Sequence, residues 1–283
     1  ASADHGLEFA NGGFLHLAGQ FGDQDRTNRA RPFAGTPSAT QPELGQKAFV
    51  YGDPENEHWG VSLNLEVPLS DAVELYAFGT ASERDLTSFA FFRAPNNPNQ
   101  NILSIYPEGF VPQINNISDD LAIAAGLRGD TASGWRWDLS FNHGSNQLDF
   151  HTRNTLNASL GASSPTAFYA GALETEQNLI NLDFSRSLDW GLAYPVNLAL
   201  GLEYRDDQWR QSEGEPGSWQ QGALPPPIAS GAQGFPGFRP SDSGDYSRDS
   251  HAVYLDLEAD LAEVGQVLGR HGRDGLHDVA EVV

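Results

Sequence analysis

The sequence predicts an all-β chain, an antiparallel transmembrane β-barrel segment of about eight strands. Three observations predict it. Apolar and polar residues alternate over strand-length stretches, and the connections between those stretches alternate long and short. No window approaches the roughly 18–20 unbroken apolar residues that a spanning helix needs.

Successive side chains of a strand point to opposite faces, so alternation marks a strand with one apolar and one polar face. The first expected strand holds Leu15, Leu17 and Phe21 against His16, Ala18 and Gln20. The second is the cleanest, with Val61, Leu63, Leu65 and Val67 against Ser62, Asn64 and Glu66. The third, from Val73 to Ala81, is the least regular, because Tyr76 and Phe78 fall on its polar side. The fourth carries Leu121, Ile123, Ala125 and Leu127; the fifth alternates Trp135, Trp137, Leu139 and Phe141 with Arg136, Asp138, Ser140 and Asn142. Ile180, Leu182 and Phe184 form the sixth, Val196 to Arg205 the seventh, and Val253 to Asp260 the eighth. Each is about ten residues, the length that crosses a bilayer when tilted.

Connections follow in order: long from Asp23 to His58, tight at Leu69–Ala72, long from Ser82 to Asp119, tight at Asp130–Gly134. The stretch Gln147–Thr175 is long, Leu188–Pro195 short, and Asp206–Asp249 the longest. A soluble sandwich has alternating strands too but no reason to segregate its loop lengths. Short periplasmic turns and long extracellular loops describe an outer-membrane barrel, in contact with outer-membrane lipid. Trp135, Trp137, Trp190 and Tyr204 sit near strand ends, where a partly polar ring suits the headgroup level. The clusters Ala94–Asn101 and Gln221–Gly244, rich in Pro, Asn and Gly, read as water-exposed loop.

Composition excludes several classes of function. There is no cysteine, so disulfides, thiolate metal sites and cysteine nucleophiles are out. With 38 acidic against 16 basic residues and a net charge of −22, the chain repels nucleic acid. The same acidity solubilises exposed loops or draws in a cationic or metal-chelate cargo. The single lysine, Lys47, follows no phosphate-binding glycine loop, the histidines are scattered, and adjacent carboxylates such as Asp119 and Asp120 read as solvated. No enzyme activity, cofactor or metal site is expected.

Several stretches resemble TonB-dependent outer-membrane receptors. They are Leu75–Thr80 with Arg84 and Phe91–Arg93, Ile105–Phe110, Leu127–Gly129 leading into Gly134–Ser140, Asn154–Gly161, Ser164–Ala172, Gly201–Arg205 and Pro236–Pro240. The resemblance covers most of residues 13 to 261. It implies a 22-stranded barrel around a separate plug domain, in a receptor that imports a scarce nutrient: a siderophore, a cobalamin or an oligosaccharide. The chain then corresponds to a middle part of that barrel over 1–261, coupled to TonB only through a plug region it lacks. Residues 262–283, where alternation stops, read as an atypical tail, truncated or frameshifted. The alternative is a complete small eight-stranded outer-membrane barrel with a structural or adhesive role.

Candidate cargo contacts are aromatic and arginine residues of the long loops: Arg93 and Tyr106 in one, Trp209, Arg210 and Trp219 flanking the longest. Rings stack on sugars or aromatic chelators, and guanidinium pairs with carboxylates or catecholates. Packing within the loops is the competing role for the same residues.

Overall fold

The computed structural model describes residues 1–259 except 39, 40 and 193; the tail at 262–283 lies outside the described residues. Nine strands form one antiparallel sheet in sequence order. They are β1 (Ser2–Glu8), β2 (Phe14–Gln24), β3 (Glu55–Ser70), β4 (Val73–Phe89), β5 (Gln113–Asp130), β6 (Arg136–Arg153), β7 (Phe168–Leu188), β8 (Val196–Glu213) and β9 (Gly244–Glu258). Helix is limited to α1 (Pro216–Trp219) and two 3-10 turns, Ala158–Ser163 and Pro240–Asp242, among the described residues. Within that range β1 pairs with β2 and β9 with β8, leaving two free edges.

The strand count is one higher than the sequence suggests, and the strands are longer. β1 is exposed throughout and has no apolar alternation, yet it pairs with β2 from Ser2↔Gln20 to Glu8↔Phe14. β7 runs for 21 residues and β6 for 18. The extra length lies at the long-loop end, where both faces are polar. Glu83, Arg84 and Asp85 in β4 face Asp119, Ser118 and Ile117 in β5. Backbone pairing continues there, but the alternation that would reveal it has stopped.

A meander sends its connections to opposite ends in turn. The segments 9–13, 71–72, 131–135 and 189–195 therefore share one end, and 25–54, 90–112, 154–167 and 214–243 share the other. The short turns are locally specified. Thr131 N donates to the Trp135 carbonyl at 2.8 Å, Trp135 N donates back to Thr131 Oγ1 at 3.0 Å, and Gly134 supplies the positive φ of 81°.

Cross-strand register places the apolar residues on one face. One row joins Val67, Leu75, Leu127, Leu139, Leu182, Leu202 and Val253, and the next toward the loops joins Leu15, Leu65, Ala77, Ala125, Phe141, Ile180 and Tyr204. Most of this face is bare among the described residues: Val61 is 51% exposed, Leu139 43% and Leu255 66%, while Val196 at the short-turn end of β8 is buried. A soluble sheet would bury such a surface under a second layer.

The upper boundary of the apolar band does not follow the rows. It lies at Trp59 on β3, Leu121 on β5, Phe141, Ile180 and Tyr204 on β6 to β8, and Val253 on β9. On β9 the row partner of Trp59 is Asp245, so the boundary has slipped along the strand from 245 to 253. That slip is about 26 Å along the strand over about 29 Å across the sheet, a slant of about 42°. Strands of membrane barrels tilt by ~35–45° from the barrel axis.

The opposite face is polar and is stitched by side chains that reach across intervening strands. Tyr76 crosses Gly126 and donates to Asp138 at 2.8 Å, while Tyr254 crosses Gly201 and donates to Asp183 at 2.9 Å. These bonds account for an irregularity in the alternation, since Tyr76 on the polar side is a cross-strand tie. Arg128 lies over the Tyr76 ring at 5.2 Å and bonds Glu66 at 2.9 Å and Glu74 at 2.6 Å.

A Cβ at position 201 would strike both the Tyr254 ring and the Asp183 carboxylate. Gly201→Ala is therefore expected to destabilise the folded sheet by about 1–3 kcal/mol. Gly144→Ala, with nothing within 4 Å, is the control that stays near wild type. Thermal unfolding in detergent measures both.

Candidate functional site

The best-buried side chains lie mostly in the long loops rather than the sheet. Thr155, Leu156, Asn157, Ser159 and Ser218 are 0% exposed. The two clusters expected to be water-exposed are so only in part: Ala94–Asn101 buries Pro95 and Asn101, and Gln221–Gly244 buries Gly231, Ala232, Gln233 and Gly237, while the rest of both is exposed or half-buried. Phe110, Leu156 and Ala158 form a small apolar core with Ile102, Ile105, Tyr106 and Ile228 around it, joining segments 90–112, 154–167 and 214–243 into a cap.

Asn157 is the hub of that cap. Its Oδ1 accepts from Ser159 N at 3.1 Å and Ser159 Oγ at 2.6 Å, and its Nδ2 donates to the carbonyls of Gly217 and Gln220, both at 2.9 Å. Ser159 Oγ in turn accepts from Gly222 N at 2.7 Å, and Thr155 Oγ1 donates to the Gln233 carbonyl at 2.7 Å. A buried amide is tolerated when its hydrogen-bonding capacity is used, as here. Phe235 stacks on Phe150 of β6 at 5.1 Å and Phe238 meets the same ring edge-on at 5.6 Å, so the 214–243 segment folds over the polar face.

Three of the expected cargo contacts belong to this cap. Arg93 Nε donates to Gln233 Oε1 at 2.9 Å and its Nη1 to the Phe91 carbonyl at 2.7 Å; burial pushes its guanidinium below the ordinary arginine range. Tyr106 stacks on Phe110 at 4.3 Å and donates to the Thr155 carbonyl at 3.2 Å, and burial raises its phenol above the usual value. Trp219 ends α1 and its indole Nε1 donates to Gly214 O at 2.9 Å. In this state all three have their polar groups engaged within the cap.

Trp209 and Arg210 are strand residues near the end of β8, on opposite faces. Arg210 sits in the charged row beside the apolar band, paired with Glu174 at 3.2 Å and Asp245 at 3.1 Å. Trp209 is on the polar face, 5.7 Å from Tyr246 of β9. Trp209 and Tyr246 border a cavity of about 770 Å³ with Asn146, Gln177, Arg205, Asp207 and Arg248. A second cavity, about 830 Å³, lies on the same face toward the short turns, with Glu74, Arg128, Asp138, Asp183 and Tyr254 in its wall. No group of three or more His, Asp or Glu among the described residues could hold a metal ion.

Sequence reasoning missed Asn157 and Tyr246. Asn157-Ala158-Ser159 matches a glycosylation sequon, but its spacing serves a different end: the asparagine side chain caps the backbone two residues on. Tyr246 stands on an edge strand in a polar stretch and carries no periodic signal.

Asn157→Ala strands the partners of a buried amide and is expected to loosen the cap, making 214–243 the first segment cut in limited proteolysis while the sheet stays protected. Alkaline titration should act similarly. The folded phenol of Tyr106 titrates above its ordinary 10.0, so its contribution is complete below pH 10 and is lost as pH rises through the higher folded value. Proteolysis across that range, with Tyr106→Phe for comparison, should show cap opening in the parent and a smaller alkaline response in the variant.

Comparison with known proteins finds no matching family model and no matching curated protein.

Proposed function

We propose that this chain is a portion of an outer-membrane β-barrel, and that the barrel is a receptor importing a scarce nutrient with energy relayed through TonB. The observation that carries the membrane reading is the uncovered apolar band slanting across the hydrogen-bonded rows at about the tilt of barrel strands. From Trp59 to Leu69 on β3 the band runs about 33 Å along the strand, or ~25 Å when projected at that tilt, close to the apolar height of an outer-membrane barrel. The polar face then lines a lumen, and the two free edges take further strands of the same barrel. The segregated loops supply an outer cap and a turn-lined inner rim.

The receptor part of the proposal rests on the resemblance of residues 13 to 261 to TonB-dependent receptors, supported by the packed cap above the polar face. Closing these strands into a small barrel would need β1 and β9 to meet and would enclose nine strands, one more than the eight-stranded alternative, whereas edges unpaired among the described residues suit a wider barrel.

A charge on the lipid side is costly, while one on the lumen side is not. Leu139→Arg, near the middle of the band, is expected to cost ~2–4 kcal/mol and sharply reduce the heat-modifiable folded fraction; neighbouring Ser140→Arg should leave that fraction nearly unchanged. Equal tolerance at both positions, or recovery as a soluble protein without detergent, would overturn the membrane reading. Import is tested by deleting the gene and measuring growth with iron chelates, cobalamin or oligosaccharides as limiting nutrient. A defect on one of them, reproduced by loss of TonB, is the expected result, and unimpaired growth on all three classes refutes import.

A further inference from the structure

We infer that the polar face beneath the cap carries a binding subsite for a neutral carbohydrate, built on Trp209 and Tyr246. This inference rests on the receptor reading and names its substrate class. The two rings are direct partners across β8 and β9, 5.7 Å apart and inclined by 36°. Trp209 is 37% exposed and Tyr246 64%, so both offer ring area to a ligand in the cavity they border. Their rings suit the apolar C–H face of a sugar ring.

The surrounding groups are planar and hydrogen-bonding, but their charges are already matched. Arg248 bonds Asp207 at 2.6 Å, Gln177 donates to the other oxygen of that carboxylate at 2.6 Å, and Arg205 pairs with Glu203 at 3.0 Å. Asn146 donates to Ser118 Oγ at 3.1 Å and Asp120 Oδ1 at 2.8 Å. Amides, carboxylates and guanidiniums held in this way give directed donors and acceptors for vicinal hydroxyls. An anionic metal chelate would instead find both arginines of the cavity neutralised, within a chain of net charge −22.

The aromatic pair supplies stacking and the polar groups around it supply orientation.

The test uses the full natural polypeptide that carries this chain, folded in detergent and first shown to migrate as a heat-modifiable barrel. Binding is measured by isothermal titration with neutral gluco-, xylo- and galacto-oligosaccharides of six units, and with a ferric tris-catechol complex. The expected result is binding of at least one oligosaccharide and none of the ferric complex. Trp209→Ala should weaken that binding by about tenfold or more, while Trp209→Phe, which keeps a ring, should remain within about threefold. Binding of no oligosaccharide, preference for the ferric complex, or undiminished affinity in Trp209→Ala overturns the subsite. A protein that forms the heat-modifiable barrel yet binds no sugar loses the subsite alone. One that forms no barrel loses the membrane reading, and the subsite with it.

Discussion

A sheet whose apolar side is left bare by its own chain must find an apolar environment elsewhere, and most features of this molecule depend on that constraint. Hydrophobic burial normally pulls a second layer over such a face. Here the described chain offers none over most of the face, and the 214–243 loop turns to the polar side instead, where Phe235 and Phe238 meet Phe150. The backbone is satisfied by pairing from strand to strand between β1 and β9, and the outer sides of those two strands stay unpaired among the described residues. The unshielded face and the unbroken ladder are consistent with one another.

Cohesion is divided accordingly. The sheet holds through its ladder and through ties such as Tyr76 to Asp138, which cross a glycine to reach the next strand but one. The cap holds through a small apolar core surrounded by a saturated polar network at Asn157. Such a network is specific, because each partner is needed by the next, and it opens as a unit when one member is removed. A wall below a separately stitched cap is an arrangement in which the cap can open without disturbing the wall.

How much of this was legible in the sequence depended on whether one face differed from the other. Val61 to Val67 announced itself as a strand because its two faces met different surroundings. The outer halves of β4 to β7 did not, since above the band Glu83, Arg84, Asp119 and Asp120 place charge on both faces while the ladder continues. β1 was silent for the same reason. The cap is only partly legible, because Pro, Asn and Gly are also the residues that let a chain turn tightly inside a packed loop, and their composition does not distinguish that use from exposure. Of the candidate contacts, Trp209 was found by residue type, but its partner Tyr246 emerged only from the register that aligns β8 with β9.

The slant of the apolar boundary separates two kinds of neighbourhood that a flat drawing of the sheet would merge. Leu63, Ile123, His143, Asn178, Asp206 and Asp249 occupy one hydrogen-bonded rung. The first two sit within the apolar band and the last four outside it. A rung is therefore not a level: partners joined directly or in series by backbone bonds lie on different sides of the apolar boundary. Tolerance to a charge follows the oblique contour, so equivalence between strands has to be judged by depth and not by pairing.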